Sequence, residues 1–158
     1  MSKHFSWKEF MEDLTQEKSE LNIAPTQPSE SHMKKVMKSH IDSINDKSKN
    51  GPTFAKEFKG EDPVGTQTFS IGGNDMINDL KDMFNVPFTP QKAELISPIT
   101  TSFGNSAAMA FKLYVNVNGQ NIAIDIIDVF QFNKEGEVIE QKAYWGKENV
   151  TFLDYLNP

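Results

Sequence analysis

Two polar side chains stand where apolar ones are expected. Asp128 interrupts Ile122-Ala123-Ile124-Asp125-Ile126-Ile127-Asp128-Val129-Phe130-Gln131-Phe132, a run that reads as a strand. Alternate residues of a strand share a face, so Asp128 keeps company with Ile122, Ile124, Ile126, Phe130 and Phe132. A carboxyl on such a face loses its water. It must find a cation, find hydrogen-bond donors, or stay protonated. The third outcome, a neutral acid donating a hydrogen bond inside an apolar cavity, is a catalytic device. The plainer reading puts Asp128 at a strand end or bulge facing water, since charged residues are rarely fully buried; the length of the apolar face favours burial. His40 is the second such residue. It lies on the stripe Met33, Val36, Met37, Ile41, Ile44 of a helix predicted from about Ser31 to Asn45.

The elements that must position these groups follow from pattern. Ser6 and Glu9 fit a capping box, and Trp7, Phe10, Met11 and Leu14 recur at helical spacing, predicting a helix over residues 6–21. Residues 22–31, with Pro25 and Pro28, read as a linker. Phe54 to Phe58 is expected to form a short helix. A third helix is predicted over 74–84, with Met76, Ile77, Leu80, Met83 and Phe84 on one side, ended by Pro87 and Pro90. The remainder is strand-rich: about 92–102, 107–117, 120–132 and 137–146. Helices first and an antiparallel sheet after make an α+β domain. The chain divides into an N-terminal amphipathic helix and linker, 1–30, and a domain, 31–158.

Turn chemistry sets the pairing around Asp128. Asn118-Gly119 is a strong two-residue hairpin signal, placing Val117 opposite Gln120 and hence Asp128 opposite Met109. The same register pairs Lys112 with Asp125 on the other face, an ordinary cross-strand ion pair worth little. A turn at Asn133-Lys134-Glu135-Gly136 with Phe132 facing Glu137 would put Asp128 opposite Gln141, with Ile139, Ala143 and Trp145 on the inner face. A bulge would shift that register. With no basic partner on its face, Asp128 should have its pKa raised by desolvation. The outer face offers Tyr114, Ile127, Val129, Val138 and Tyr144.

Composition excludes several classes. The chain has 158 residues, enough for one domain with a core, and a net charge of −6 from 16 basic and 22 acidic residues. That balance argues against nucleic-acid binding. There is no cysteine, and His4, His32 and His40 lack metal-ligand spacing. No stretch approaches a membrane span, and the start lacks the apolar core of a signal peptide; a cytoplasmic protein is the expectation.

The chain resembles the steroid Δ-isomerases (ketosteroid isomerases) of the wider SnoaL-like, nuclear-transport-factor-2-like superfamily. The match runs from about Val36 to Val150. It is carried by Asn118-Gly119, Ile124-Asp125-Ile126-Ile127-Asp128-Val129, Phe132, Gly136, Ala143-Tyr144-Trp145 and Asn149. Glu61-Asp62-Pro63-Val64-Gly65 and Ala108-Met109-Ala110-Phe111 add to it. The resemblance implies a cone: a curved antiparallel sheet wrapped around helices, enclosing a deep apolar pocket, usually in a homodimer joined through the outer sheet face. It also implies a mechanism. One carboxylate moves a proton on carbon beside a ketone, while a tyrosine and a protonated aspartic acid hold the developing oxyanion. On that pattern Asp62 matches the general base, Asp128 the neutral donor and Trp145 an aromatic wall. Phe54, Met109, Phe111 and Phe84 are the further residues expected to line a pocket for a steroid-like or other hydrophobic ketone. No cofactor and no metal are required.

The family's tyrosine donor is absent. Aligning the helix stripe puts His40 in its place, with a gap of about two residues before Asp62 that the turn at Asn50-Gly51-Pro52 could absorb. Supporting tyrosines are absent too, and Phe54 and Lys81 stand in their positions. A neutral imidazole can donate to an enolate oxygen, whereas a cationic one would pull the pKa of Asp128 down. His40 is therefore a substitute donor, a change of specificity, a mark of lost isomerisation, or a core histidine bonded to a nearby acceptor.

Four functions stay open. The first is an acid/base enzyme with Asp62 as base and Asp128 with His40 as oxyanion site. The second is a binding module for a small apolar ligand. The third is an interaction protein docking through its N-terminal arm. The fourth is cyclase or epoxide hydrolase chemistry on the same scaffold.

Overall fold

The computed structural model describes residues 5–18, 21, 28–70 and 86–153. Its elements are helices α1 (Trp7–Asp13) and α2 (Glu30–Asn45) and strands β1 (Phe54–Glu61), β2 (Phe88–Leu95), β3 (Thr100–Thr101), β4 (Ser106–Val117), β5 (Gln120–Phe132), β6 (Val138–Tyr144) and β7 (Val150–Phe152). They build the expected α+β architecture around a seven-stranded curved sheet. The strand order is β1-β6-β5-β4-β2, with β3 on β4 and β7 on β5. One pairing departs from the antiparallel expectation: β1 runs parallel to β6. The helix predicted over 74–84, with Phe84 and Lys81, lies outside the described residues. Among the described residues, no helix is long and apolar enough to cross a membrane.

The β4–β5 hairpin has the register read from its turn. Asn118 and Gly119 both take positive φ, 51° and 81°, which the right-handed twist of a two-residue hairpin demands. Val117 pairs with Gln120, Lys112 with Asp125 and Met109 with Asp128.

The β5–β6 pairing is offset from the prediction. Phe132 faces Val138 rather than Glu137, because the turn holds one residue more. A bulge between Gln131 and Phe132 adds another step. Asp128 therefore faces Ala143, not Gln141. Two single-residue offsets restore parity, since side chains alternate with period two. Gln141 and Ala143 both stay buried, as predicted. Val138, placed on the outer face by the sequence reading, is instead fully buried, and Ile139 is only half-buried at the bulge.

β1 corrects the helix expected at Phe54–Phe58. Lys, Glu and Ala there favour a helix, but the edge of β6 offers a ladder, and tertiary pairing wins. The helix-like spacing has its own cause: the register of β1 shifts between Phe54 and Lys59, and this brings the Phe54 and Phe58 rings to 4.7 Å, edge to face. Farther along, Gly60 exchanges backbone hydrogen bonds with Phe69 at 2.8 and 2.9 Å. A Cβ on Gly60 would meet the Phe69 ring at 2.4 Å. Gly60→Ala is therefore expected to lower stability by about 1–3 kcal/mol through forced repacking, measurable by urea denaturation.

α2 starts at Ser29, whose hydroxyl accepts from the His32 amide, a standard N-cap. Its stripe delivers Met33, Met37 and Ile41 into a core with Phe58, Phe111, Phe130 and Phe132. His32 Nε2 donates to the Gly136 carbonyl at 2.8 Å, tying the start of α2 to the β5–β6 turn.

α1 is shorter than predicted. Ser6 caps it by accepting from Glu9 N at 3.0 Å, and it ends at Asp13, where Glu12 and Asp13 oppose the negative end of the helix dipole. Phe10 packs on Phe103 at 5.0 Å, as Phe5 does at 5.4 Å. Trp7, Met11 and Leu14, which share the predicted apolar spacing, are exposed.

Candidate active site

β5 carries Asp128 in mid-strand, between Met109 of β4 and Ala143 of β6. Its side chain is 2 % exposed. Neither carboxyl oxygen has a hydrogen-bond partner, an uncommon condition for a buried polar group. Burial pushes its pKa from 3.8 to about 8, the negative charge of Asp62 adds to the rise, and the Gln141 amide draws it slightly back. The upward direction, and burial as its first cause, are those anticipated from the apolar face.

α2 brings His40 to the same point. Its Nε2 lies 3.5 Å from Asp128 Oδ2, longer than a good hydrogen bond. The ring stands edge-on to Phe130 at 5.5 Å and to Phe111 at 6.4 Å. Desolvation lowers its pKa from 6.5 to about 4, although 22 % of its side chain reaches solvent. Imidazole and carboxyl are thus both neutral near pH 7. The contact is not an ion pair, because separating charge in this apolar setting costs more than the mutual attraction returns.

Asp62 follows the last residue of β1, and the Asp62–Pro63 peptide is cis. The loop beyond it is pinned to the site: Val64 N donates to the carbonyl of Ala143 at 2.8 Å, the residue opposite Asp128. Glu61 Oε1 accepts from Gly65 N. Trp145, one residue past β6, donates its indole N–H to Asp62 Oδ1 at 2.7 Å. Asp62 is exposed as a residue, yet partial desolvation of its carboxyl raises its pKa, while the indole hydrogen bond opposes the rise. Burial raises both carboxyls; the indole opposes the rise at Asp62, and the charge of Asp62 adds to it at Asp128. Neighbouring carboxyls in unlike environments are able to divide acid and base work.

The structure brings together Asp62, Asp128, His40, Trp145, Met109 and Phe111. Phe54 stands elsewhere, paired with Val138 and packed on Phe58, several residues along the sheet from the level of Asp128. Phe84 lies outside the described residues. Sequence reasoning named Trp145 as a wall and missed its hydrogen bond to Asp62. It also left Gln141 without a role, although a polar residue on an apolar face was the available signal. Among the described residues, one groove of 280 Å³ is lined by Lys59, Glu61, Gln141 and Lys142, and another of 170 Å³ runs along Ala108, Met109, Ala110 and Ile127. Among the described residues, no group of three or more His, Asp or Glu is placed to hold a metal ion.

The two shifted groups give stability a distinctive pH profile. Asp128 binds its proton more tightly folded than unfolded, so its contribution is full below pH 3.8 and is lost as pH rises to about 8. His40 binds its proton less tightly folded, so its contribution grows as pH rises from about 4 to 6.5. Each acts with a slope of about 1.4 kcal/mol per pH unit. They cancel at mildly acidic pH and leave a net fall of about 2 kcal/mol between pH 6.5 and 8. Urea denaturation across that window should show the fall in the natural chain and not in Asp128→Asn.

No protein-family model matches the chain. Among solved structures it is similar to SalBIII, an epoxide hydrolase/cyclase-like enzyme with a role in pyran ring formation in the polyether salinomycin. The TM-score is 0.47 at 21 % identity, covering 77 % of this chain and 90 % of that one. A likeness of that degree carries nothing about activity.

Proposed function

We propose that this chain is a cofactor-free acid/base enzyme that moves a proton on a hydrophobic ketone, in the manner of the steroid Δ-isomerases of the SnoaL-like, nuclear-transport-factor-2-like superfamily. One observation carries the reading. The buried carboxyl of Asp128 has no partner in hydrogen-bonding geometry, and burial together with the charge of a second carboxyl, Asp62, favours its protonated form.

The roles follow from the chemistry of each group. Asp62, ionised and held by the Trp145 indole, takes a proton from the carbon beside the carbonyl. As the C–H bond breaks, its electron pair moves toward the carbonyl oxygen. Asp128 donates its O–H to that oxygen, a donor fixed in place before charge develops and sheltered from water. His40 supplies the second donor where the family has a tyrosine. Asp62 then returns the proton to a more distant carbon, and the double bond moves. Met109, Phe111 and Trp145 supply apolar contact. Incubating the protein in heavy water with apolar cyclic ketones tests this: deuterium should enter beside the carbonyl far faster than in buffer, and incorporation at the buffer rate would contradict it.

A second reading has its own observation. His40 Nε2 is turned toward Asp128, which leaves one free donor for a ligand oxygen rather than two. On that reading the chain is a non-catalytic binding module of the same fold, holding a phenol tightly without exchange.

A homodimer through the outer sheet face belongs to the same proposal. Ile127 and Tyr144 are cross-strand partners, 50 % and 47 % exposed, beside the groove along Ala108 and Ala110. Sedimentation should give a dimer for the natural chain and a monomer for Ile127→Arg; equal masses would remove the interface from this face.

A further inference from the structure

We propose that His40 is the proton conduit of Asp128, the group through which the buried carboxyl regains from solvent a proton it has lost. The inference deepens the acid/base reading and rests on its assignment of Asp128 as a neutral acid. It does not rest on the ketone.

Three observations place His40 in this role. The Asp128 side chain is 2 % exposed while that of His40 is 22 % exposed, and 3.5 Å separates Nε2 from Oδ2. Neither Asp128 oxygen has a partner in hydrogen-bonding geometry. Among the described residues, the other neighbours are unable to pass a proton: Met109 and Ala143 flank the carboxyl in the sheet, and the Gln141 amide neither gains nor loses one near neutral pH. Of the titratable groups that act on Asp128, Asp62 does so through its field, and its carboxyl is engaged by Trp145.

Imidazole has two nitrogens on opposite sides of one ring, so it can accept on one and release from the other. After Asp128 has given up its proton, water delivers one to Nδ1, the ring is briefly cationic, and Nε2 releases its own to Oδ2. One proton enters and one is delivered. The ring is left as its other neutral tautomer and rotates to reset. The burial that disfavours a resident imidazolium keeps that cation transient. A tyrosine at this position would take in and release the proton at one oxygen, whereas the imidazole separates the two sites. His40 would then suit a reaction in which the acid delivers its proton outright and must be restored each turnover.

The test needs no substrate. The protein is jumped from a pH above the Asp128 pKa to neutral pH, and the carbonyl stretch of the protonated acid is followed in time. His40→Gln keeps an amide donor beside Asp128 but cannot relay, and His40→Ala opens space for added imidazole. Return of the acid band should slow by about tenfold or more in both. Imidazole should restore it in His40→Ala and not in His40→Gln. Natural-rate return in His40→Gln, or failure of imidazole to restore the rate in His40→Ala, would overturn the conduit. Absence of any acid band at neutral pH would sink the acid/base reading as well, so the two failures are distinguishable.

Discussion

Asp62→Asn is expected to cut deuterium exchange into an apolar ketone by about 10²–10⁴, the share a positioned general base supplies. The substitution keeps size and planarity. Its amide still offers an oxygen to the Trp145 indole, which now donates to Asp62 Oδ1 at 2.7 Å, so the loop from Asp62 to Gly65 should hold its place. What is lost is the basic lone pair. Binding of a neutral phenol should survive, although removing the Asp62 charge lowers the proton affinity of Asp128. Exchange that persists undiminished in Asp62→Asn would take the base assignment away from this residue.

Asp128→Leu should split stability from activity. The natural chain buries a carboxyl whose oxygens have no partner, and leaving such a group unsatisfied costs about 1–3 kcal/mol. Leucine is close in shape and suits the surrounding Met109, Phe111, Phe130 and Ala143, all fully buried. The variant is therefore expected to gain roughly that amount in stability, a rise in Tm of several degrees. It should lose about 10²–10³ in exchange rate, the cost of deleting one oxyanion donor. Opposite signs from one substitution are the mark of a residue kept for chemistry at the expense of the fold. A variant both less stable and fully active would show that Asp128 is structural.

These two carboxyls differ in how well the sequence exposes them. Asp128 is readable because a two-residue turn at Asn118-Gly119 fixes β4 against β5 and strand parity then assigns its face. Its partner on β6 is not readable to the residue. The longer turn and the bulge at Gln131 depend on how the strand twists into α2 and β1, which local sequence does not encode. Parity survived the two-residue offset, so the face was right and the neighbour wrong: Ala143 where Gln141 was expected. β1 was hidden for a different reason. Its residues favour a helix, and only the waiting edge of β6 makes them a strand. Asp62 came from family resemblance, since nothing in Glu61-Asp62-Pro63 marks a base without the indole that reaches it from Trp145. Likewise His40 was placed on the inward stripe of α2 by period alone, but its contact with Asp128 needed the packing of α2 on the sheet.

The proton on Asp128 is the claim on which the rest stands. Infrared difference spectra between the natural chain and Asp128→Asn, recorded as pH is raised, observe it directly. The account predicts a protonated-acid carbonyl band present at neutral pH and lost with a midpoint near the value that burial sets, about 8. A band already gone at neutral pH, titrating in the ordinary range of an exposed carboxylate, would contradict it.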